Sequence, residues 1–227
     1  MEANPLDQVI WSALTTQHAA LAEGDDLARR YPIDLGLFAA TRDTSPEAWA
    51  SLERLIPAGS GVGLFSAEPV APTGPLQVVL RERIDQMMAP PLAGRVTLDT
   101  VELLGAGDVA EMRELVELTK PGPFQIRTHE LGRYLGIRVG GRLVAMAGER
   151  LHLDGYTEIS AVCAHPDHRG QGLPAALLIA VAQLIEARGE QALLHVLSSN
   201  EAAIRLYRKL GFVTRRQLHL AVVERQA

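Results

Sequence analysis

The chain has 227 residues, of which 47% are apolar and 22% charged, so it is long enough for one large domain or two small ones with ordinary cores. Its formal net charge of −5 argues against nucleic acid as a partner, because nucleic-acid binding needs a concentrated basic surface. Its single cysteine excludes an internal disulfide and fits a reducing compartment. Neither a signal peptide nor an apolar run of about 20 residues is visible, so we expect a cytoplasmic protein that does not enter a membrane.

The N-terminal part of the chain carries no chemical motif. Its residue pattern predicts one helix and two strands, over Pro46–Ile56, Val62–Ala67 and Leu76–Leu80. The Pro- and Gly-rich stretch Ala89–Gly94 predicts a domain boundary. We therefore divide the chain into an N-terminal α/β domain over residues 1–94 and a second domain over residues 95–227.

Strands and helices alternate more clearly after this boundary. The predicted strands are Val101–Leu104, Leu135–Val139, Leu143–Ala147, Thr157–Ala164, Ala192–Leu197 and Phe212–Val223. The predicted helices are Gly107–Leu118, Thr128–Leu131, Pro174–Ala187 and Asn200–Leu210. The pair Gly140-Gly141, between two of the strands, predicts a hairpin with a type I′ turn. Because hairpins and crossovers are mixed, this order indicates an α/β domain with a mixed sheet.

The segment Val162–Ala175 is the most informative part of the chain. A strand that ends at Ala164 is followed by the glycine-rich loop Arg169–Gly172 and by a helix that begins near Pro174. Glycine frees the amides of such a loop, and the first turn of a helix has unpaired N–H groups and the positive end of the helix dipole. These donors converge, so the segment predicts a binding site for an anion.

Two motifs resemble the signatures of the GNAT superfamily of N-acetyltransferases. The run Arg169-Gly170-Gln171-Gly172-Leu173-Pro174 resembles its loop for the pyrophosphate of acyl-CoA, Arg/Gln-x-x-Gly-x-Gly/Ala. The motif Asn200…Ala203…Leu206-Tyr207…Gly211-Phe212 is similar to its second signature and follows at the expected separation. In addition, Thr157-Glu158-Ile159 and His195-Val196 have counterparts in the glycine N-acyltransferase branch. The match covers roughly residues 97–223.

This resemblance implies both a fold and a reaction. The fold is an α/β, GNAT-like one with a mixed, mostly antiparallel central sheet flanked by helices, preceded by a smaller α/β N-terminal domain of degenerate GNAT-like form. The reaction is transfer of an acetyl group from acetyl-CoA to a primary amine, either a small molecule or an amino acid, by direct attack in a ternary complex and without a metal. The alternative is a non-catalytic acyl-CoA-binding sensor, which would bind the cofactor without turnover.

The resemblance also implies which residues hold acetyl-CoA. Those for the diphosphate are Arg169, Gly170, Gln171, Gly172, Leu173, Pro174 and Ala175. Those for the pantetheine arm, whose amides can pair with a strand edge, are Val162, Cys163, Ala164, Asn200 and Tyr207. The family has Gly or Ala where this chain has Pro174, which lacks an N–H, so we expect weaker affinity at most.

The catalytic groups follow from the same resemblance. It implies that Tyr207 protonates the departing CoA thiolate and that a backbone N–H near Ser160–Val162 receives the oxyanion. Two residues compete for the role of general base, and the remaining alternatives are an ordered water or no base at all. Glu158 lies four residues before Val162, which places both on one face of a regular strand, and it matches a glutamate of the glycine N-acyltransferase branch. His195 lies on the next strand, where other branches have a glutamate, and imidazole titrates near neutral pH.

Overall fold

Apolar residues at alternate positions build most of the fold, because they give each strand a buried face. A computed structural model describes residues 4–91 and 101–226, which contain eleven strands and five α-helices. The strands are β1 (Glu23–Gly24), β2 (Ala28–Arg30), β3 (Ala39–Thr41), β4 (Gly61–Ser66), β5 (Leu76–Met88), β6 (Val101–Leu104), β7 (Tyr134–Val139), β8 (Arg142–Leu153), β9 (Tyr156–Ala164), β10 (Gln191–Leu197) and β11 (Val213–Arg225). The helices are α1 (Val9–Thr15), α2 (Pro46–Leu55), α3 (Val109–Thr119), α4 (Leu173–Glu186) and α5 (Glu201–Lys209).

Eight of the strands form one large sheet in the order β4-β11-β5-β10-β9-β8-β7-β6. The pair of β9 and β10 is parallel, and every other neighbouring pair is antiparallel. The predicted mixed, mostly antiparallel sheet with flanking helices is therefore confirmed. A smaller sheet of β1, β2 and β3 lies in the N-terminal part of the chain.

Strands from both sides of the predicted domain boundary share the large sheet. Strand β5 lies between β10 and β11, so that Met88 pairs with Leu193 on one side and with Val213 on the other. Strand β4 adds to the outer edge of β11. The boundary itself, after Gly94, falls outside the described residues, and the division into 1–94 and 95–227 stays a prediction.

Helices cover both faces of the large sheet. Leu178 of α4 shares a core with Leu194 of β10, whereas Leu14 of α1 shares a different core with the neighbouring Leu193. Because neighbouring residues of a strand point to opposite sides, α1 and α4 lie on opposite faces. Helix α5 joins the α4 core, and Met112 of α3 lies in a core with residues of β8 and β9 that point away from α4.

The helix cap and the hairpin turn predicted from the sequence are present in the structure, whereas the shortest helices and strands were not predicted. Helix α2 begins after Ser45, whose hydroxyl accepts a hydrogen bond from the Ala48 N–H, and Gly140 and Gly141 both have positive φ, as a type I′ turn requires. Helix α1 and the small sheet have no counterpart in the predictions, because a seven-residue helix and strands of two or three residues carry little periodicity. No helix within the described ranges has the length and apolar character needed to cross a membrane.

Candidate active site

The glycine-rich loop and the start of α4 present a row of free donors. Gly170 and Gly172 have φ values of 76 and 75, a left-handed conformation that favours glycine. Pro174 lies in the first turn of α4, where a missing N–H removes no helical hydrogen bond. In this loop and the first turn of α4, the backbone N–H groups of Gly170, Gln171, Gly172, Leu173 and Ala175 have no acceptor among the described residues. This arrangement fits an anion with several oxygen atoms.

The large sheet opens immediately beside this loop. Strands β9 and β10 pair only at their beginnings, where Gln191, Ala192 and Leu193 face Tyr156, Thr157 and Glu158. Further along, β9 remains paired with β8 and β10 with β5. The two strands therefore diverge, and their facing edges over 159–164 and 194–197 can pair with an extended chain of amides.

A β-bulge at Ala161 accompanies this opening. Ser160 pairs with Gly148 of β8 and Cys163 pairs with Met146, so β9 has one residue more than β8 in this interval. Ala161 has a φ of 53, which is unusual for a residue with a Cβ atom. The regular pairing of β9 with β8 is thus interrupted at Ala161, in the part of β9 that no longer pairs with β10.

The bulge also changes which residues share a face of the sheet. Val162 packs against the core beneath α4, whereas Glu158 reaches Arg150 on the face that carries α1. The expectation that Glu158 and Val162 share a face is therefore wrong, because the extra residue reverses the alternation between them.

Glu158 forms a buried ion pair with Arg150 of β8. Arg150 Nε donates to Glu158 Oε2 and Nη2 donates to Oε1, each at 2.7 Å. The Glu158 side chain is 0% exposed, and the guanidinium of Arg150 lies 4.6 Å from the centre of the Phe38 ring. Burial alone would raise the pKa of Glu158, but the charge of Arg150 and the hydrogen bonds from His195 and Arg150 lower it to about 2. Glu158 is thus an ionised carboxylate at neutral pH.

His195 is the second partner of this carboxylate. Its Nδ1 lies 2.7 Å from Glu158 Oε1, and its Nε2 lies 3.0 Å from Nε2 of Gln86. Two other hydrogen bonds identify the nitrogen and the oxygen of the Gln86 amide, because its Nε2 also donates to the Leu6 carbonyl and its Oε1 accepts from Arg215. Gln86 therefore donates to His195 Nε2, which must carry a lone pair. These partners assign a neutral imidazole whose Nδ1–H donates to Glu158.

Sequence reasoning brings Glu158 and His195 into the site but misses Arg150 and Gln86. Arg150 could have been found, because a cation in the apolar run of β8 is a signal for a buried ion pair. Gln86 gives no such signal, since it lies in the part of β5 beyond the predicted end at Leu80.

Tyr207 lies on the face of the sheet opposite His195. It shares the α4 core with Leu194, the neighbour of His195 on β10. Burial, with a further contribution from nearby Cys163, raises the pKa of its hydroxyl to about 12. Asn200 precedes the same helix, and its Oδ1 accepts a hydrogen bond from the Ala203 N–H at 3.1 Å. Asn200 thus caps the N-terminus of α5, as expected.

The thiol of Cys163 is buried between β9 and α3. Burial raises its pKa to about 11, although hydrogen bonds with Thr119 and with the backbone of Met146 act in the opposite direction. The thiol is therefore protonated at neutral pH, which makes it a poor nucleophile. Within 4–91 and 101–226, no group of three or more His, Cys, Asp or Glu residues could hold a metal ion.

Comparisons with known proteins agree with this geometry. The family model described as "FR47-like protein" matches residues 134–220. A putative acetyltransferase of the GNAT family from Novosphingobium aromaticivorans is 36% identical, with a TM-score of 0.93 over 99% of this chain and 100% of its own. The ribosomal protein bS18-alanine N-acetyltransferase of Escherichia coli K12 is 31% identical over 121 residues, which are 51% of this chain and 81% of that protein. A GCN5-related N-acetyltransferase from Kribbella flavida shares the fold, with 18% identity and a TM-score of 0.67 over 96% of both chains.

The ionised Glu158 predicts how stability depends on pH. Its pKa falls from 4.5 in the unfolded chain to about 2 in the folded one, so its contribution is complete above pH 4.5 and is lost as the pH falls towards 2. We expect the free energy of unfolding of Glu158→Gln to vary less with pH in this window than that of the unmodified protein. Denaturant unfolding at a series of pH values measures this. The exposed Glu114→Gln is the control and should keep the original slope, and an equal slope in Glu158→Gln would contradict the assignment.

Proposed function

Because the chain belongs to the GNAT family of acetyltransferases, we propose that it transfers an acetyl group from acetyl-CoA to the primary amine of a small molecule or amino acid. The observation that carries this proposal is the meeting of three features in one place. The free amides at Gly170 and Gly172 follow strand β9, which borders the opening, and Tyr207 shares a core with Leu194 of β10, which borders it on the other side.

Acetyl-CoA would lie along this opening. The donors of the loop, from Arg169 to Ala175, would bind the diphosphate. The pantetheine amides would pair with the edge of β9 at Val162, Cys163 and Ala164, and Asn200 would contact the arm while it caps α5. The absence of an N–H at Pro174 removes one donor from a set of several, which supports binding of weaker affinity at most.

The amine would attack the thioester directly, in a ternary complex. The carbonyl oxygen becomes an oxyanion and would accept a hydrogen bond from a backbone N–H near the bulge, between Ser160 and Val162. As the C–S bond breaks, the Tyr207 hydroxyl would donate its proton to the CoA sulfur. Its raised pKa favours this role, because the phenol stays protonated at neutral pH.

The Glu158–His195 pair would remove the proton of the attacking amine. Glu158 is the poorer acceptor, because its pKa is about 2 and its two oxygens already accept three hydrogen bonds. His195 is the better one, because its Nδ1–H is held by a carboxylate that stabilises the imidazolium formed. Its Nε2 would take the proton after the Gln86 amide gives way. We assign the proton acceptor as His195 and give Glu158 the positioning role.

The acceptor is expected to be a small amine, by resemblance to the glycine N-acyltransferase branch. The Escherichia coli relative is named for acetylation of an alanine of ribosomal protein bS18, which makes a protein N-terminus the competing possibility. A screen of small amines, amino acids and an alanine-initiated peptide, with release of free thiol as readout, distinguishes these acceptors.

Gly172 provides a test of the cofactor site. The substitution Gly172→Ala places a Cβ on a residue with a φ of 75, where nothing lies within 4 Å, so its effect is backbone strain of about 1–2 kcal/mol. The loop would shift to relieve this strain and misplace its donors. We expect the Kd for acetyl-CoA, measured by titration calorimetry, to rise by about tenfold.

Gly189→Ala is the matched control for this experiment. Gly189 has a φ of 77 and the same open surroundings, but it lies beyond the other end of α4. It should lose similar stability and keep the original Kd. Equal Kd values for all three proteins would contradict the assignment of the loop.

Tyr207 provides a test of the reaction itself. We expect Tyr207→Phe to lower kcat by about 10²-fold or more while the Kd for acetyl-CoA stays nearly constant, because the ring remains and the proton donor is lost. The measurement is thiol release with the best acceptor of the screen. Tyr156→Phe, a partly buried tyrosine without an assigned role, is the control. Binding of acetyl-CoA without thiol release for any amine would instead favour the sensor function.

His195 provides a test of the general base. A base must be unprotonated to accept the proton of the amine, so kcat/KM rises with pH until the base has lost its own proton. We expect His195→Leu to lower kcat/KM by about 10²-fold and to remove this rise from the pH profile. If the rise persists with an unchanged midpoint, the proton goes to another group and the assignment is wrong.

A further inference from the structure

Gln86 is a buried polar residue that contacts the ring nitrogen of His195 not used by Glu158. It lies on β5 and is 0% exposed. Its Nε2 donates to the Leu6 carbonyl at 2.9 Å and lies 3.0 Å from His195 Nε2. Its Oε1 accepts a hydrogen bond from Arg215 Nη1 at 2.8 Å. Both N–H bonds and the oxygen of this amide are thus engaged.

The chemistry of these neighbours sets the direction of the Gln86 amide. The Leu6 carbonyl can only accept a hydrogen bond, and the Arg215 guanidinium can only donate one. A reversed amide would place its oxygen against that carbonyl and its N–H groups against that guanidinium. Arg215 is itself anchored, because its Nη2 donates to Asp7 at 2.7 Å. His195 Nε2 therefore faces an N–H donor.

Glu158 and Gln86 act in opposite directions on the charge of the His195 imidazole. The Glu158 carboxylate lies 2.7 Å from Nδ1 and favours the imidazolium, because a negative charge stabilises a positive one. An imidazolium would have a second N–H, on Nε2, directed at the N–H of Gln86. The His195 side chain is 2% exposed, so water offers this donor little compensation. A buried donor without an acceptor is costly, and Gln86 therefore favours the neutral ring.

The charged and titratable groups around His195 and its two partners come from separate parts of the chain. They are Glu158 on β9, Arg150 on β8, Arg215 and Arg216 on β11, Asp7 in the 3-10 helix Pro5–Gln8, and Tyr31 after β2. The charged ones are paired with opposite charges, and burial raises the pKa of Tyr31, so this phenol stays neutral. Phe65, whose ring lies 4.9 Å from the imidazole, brings no charge. Among these neighbours, Gln86 is the one that contacts the nitrogen at which a second proton would bind.

We propose that Gln86 is a positioning residue that holds His195 in the neutral form with its proton on Nδ1, ready to accept a proton from the amine. The catalytic consequence rests on the proposed function, whereas the state of the ring does not. In the reaction, the amine would replace the Gln86 N–H at Nε2. Its own N–H bond would break, an Nε2–H bond would form, and Glu158 would stabilise the imidazolium.

Nuclear magnetic resonance of isotope-labelled histidine measures the state of the ring without any reaction. The chain has seven histidines, and the signal lost in His195→Leu identifies His195. At neutral pH we expect a neutral ring with its proton on Nδ1 in the unmodified protein. In Gln86→Glu the new carboxylate accepts from Nε2–H, so we expect a charged ring. A neutral ring in this variant, or any other state in the unmodified protein, would overturn the proposal.

The pH profile of kcat/KM measures the effect of Gln86 on the reaction. We expect Gln86→Glu to lower kcat/KM at neutral pH by at least about tenfold, and to recover as the pH rises and the ring loses its second proton. Gln86→Met removes the donor without adding an acceptor and should shift the profile less, in the same direction. It also serves if the buried carboxylate prevents folding. An equal loss at every pH in both variants would indicate a structural role alone and reject the proposal.

Gln77→Glu is the matched control. It makes the same exchange on an exposed part of β5 and keeps the oxygen that accepts a hydrogen bond from Gln226. We expect it to leave the His195 signal and the pH profile unchanged. An effect equal to that of Gln86→Glu would show that the ring responds to net charge alone and would reject the role of the amide.

The same proteins separate this proposal from the proposed function. A charged His195 in Gln86→Glu, without thiol release from acetyl-CoA by any of the proteins, would leave the assignment of Gln86 standing and reject the transferase. Thiol release by the unmodified protein, with a ring that stays neutral in both Gln86 variants, would support the transferase and reject the role of Gln86.

Discussion

The buried carboxylate of Glu158 holds the sheet together at the point where it opens. It lies on β9, receives two hydrogen bonds from Arg150 on β8, and receives a third from His195 on β10. A buried charge of this kind is tolerated only when it is fully paired, so all three strands must keep their positions relative to one another. Beyond Glu158 the parallel pairing of β9 and β10 stops. The ion pair therefore fixes the closed end of the opening.

In the proposed mechanism, groups on opposite faces of the sheet would act on one bond, and the opening would give both of them access to it. His195 lies on the face with α1, and Tyr207 lies on the face with α4 and α5. A continuous sheet would separate them by its own backbone. Strands β9 and β10 diverge beyond Glu158 and Leu193, and the bulge at Ala161 lies in the diverging part of β9.

Predictions from the sequence succeeded where the signal depends on neighbouring residues. The loop glycines, the cap at Asn200 and the hairpin at Gly140 require particular φ values or hydrogen bonds within a few positions. The mostly antiparallel sheet followed from the resemblance carried by such motifs. Predictions failed where a distant strand decides the outcome. A single extra residue at Ala161, selected by pairing with β8, reversed the expected face of Glu158.

Strand β5 is a second case in which pairing with distant strands decides the outcome, because it is longer than its own sequence pattern predicts. Residues 81–83 of β5 are charged and exposed, so the sequence pattern ends the strand at Leu80, yet pairing with β11 and β10 continues it to Met88. Gln86, the partner of His195, therefore enters the site through strand pairing alone. No property of Gln86 itself could have indicated this position.

The residues of the candidate site come from two parts of the chain. The family match at 134–220 contains the loop, the Glu158–His195 pair and Tyr207. Gln86 and Phe38, which lies beside Arg150, both lie outside that match. Handling of the thioester needs the same donors whatever amine is used, whereas recognition of the amine must differ between enzymes. The N-terminal part of the chain thus does more than complete the sheet, because it brings Gln86 to His195 and Phe38 to Arg150.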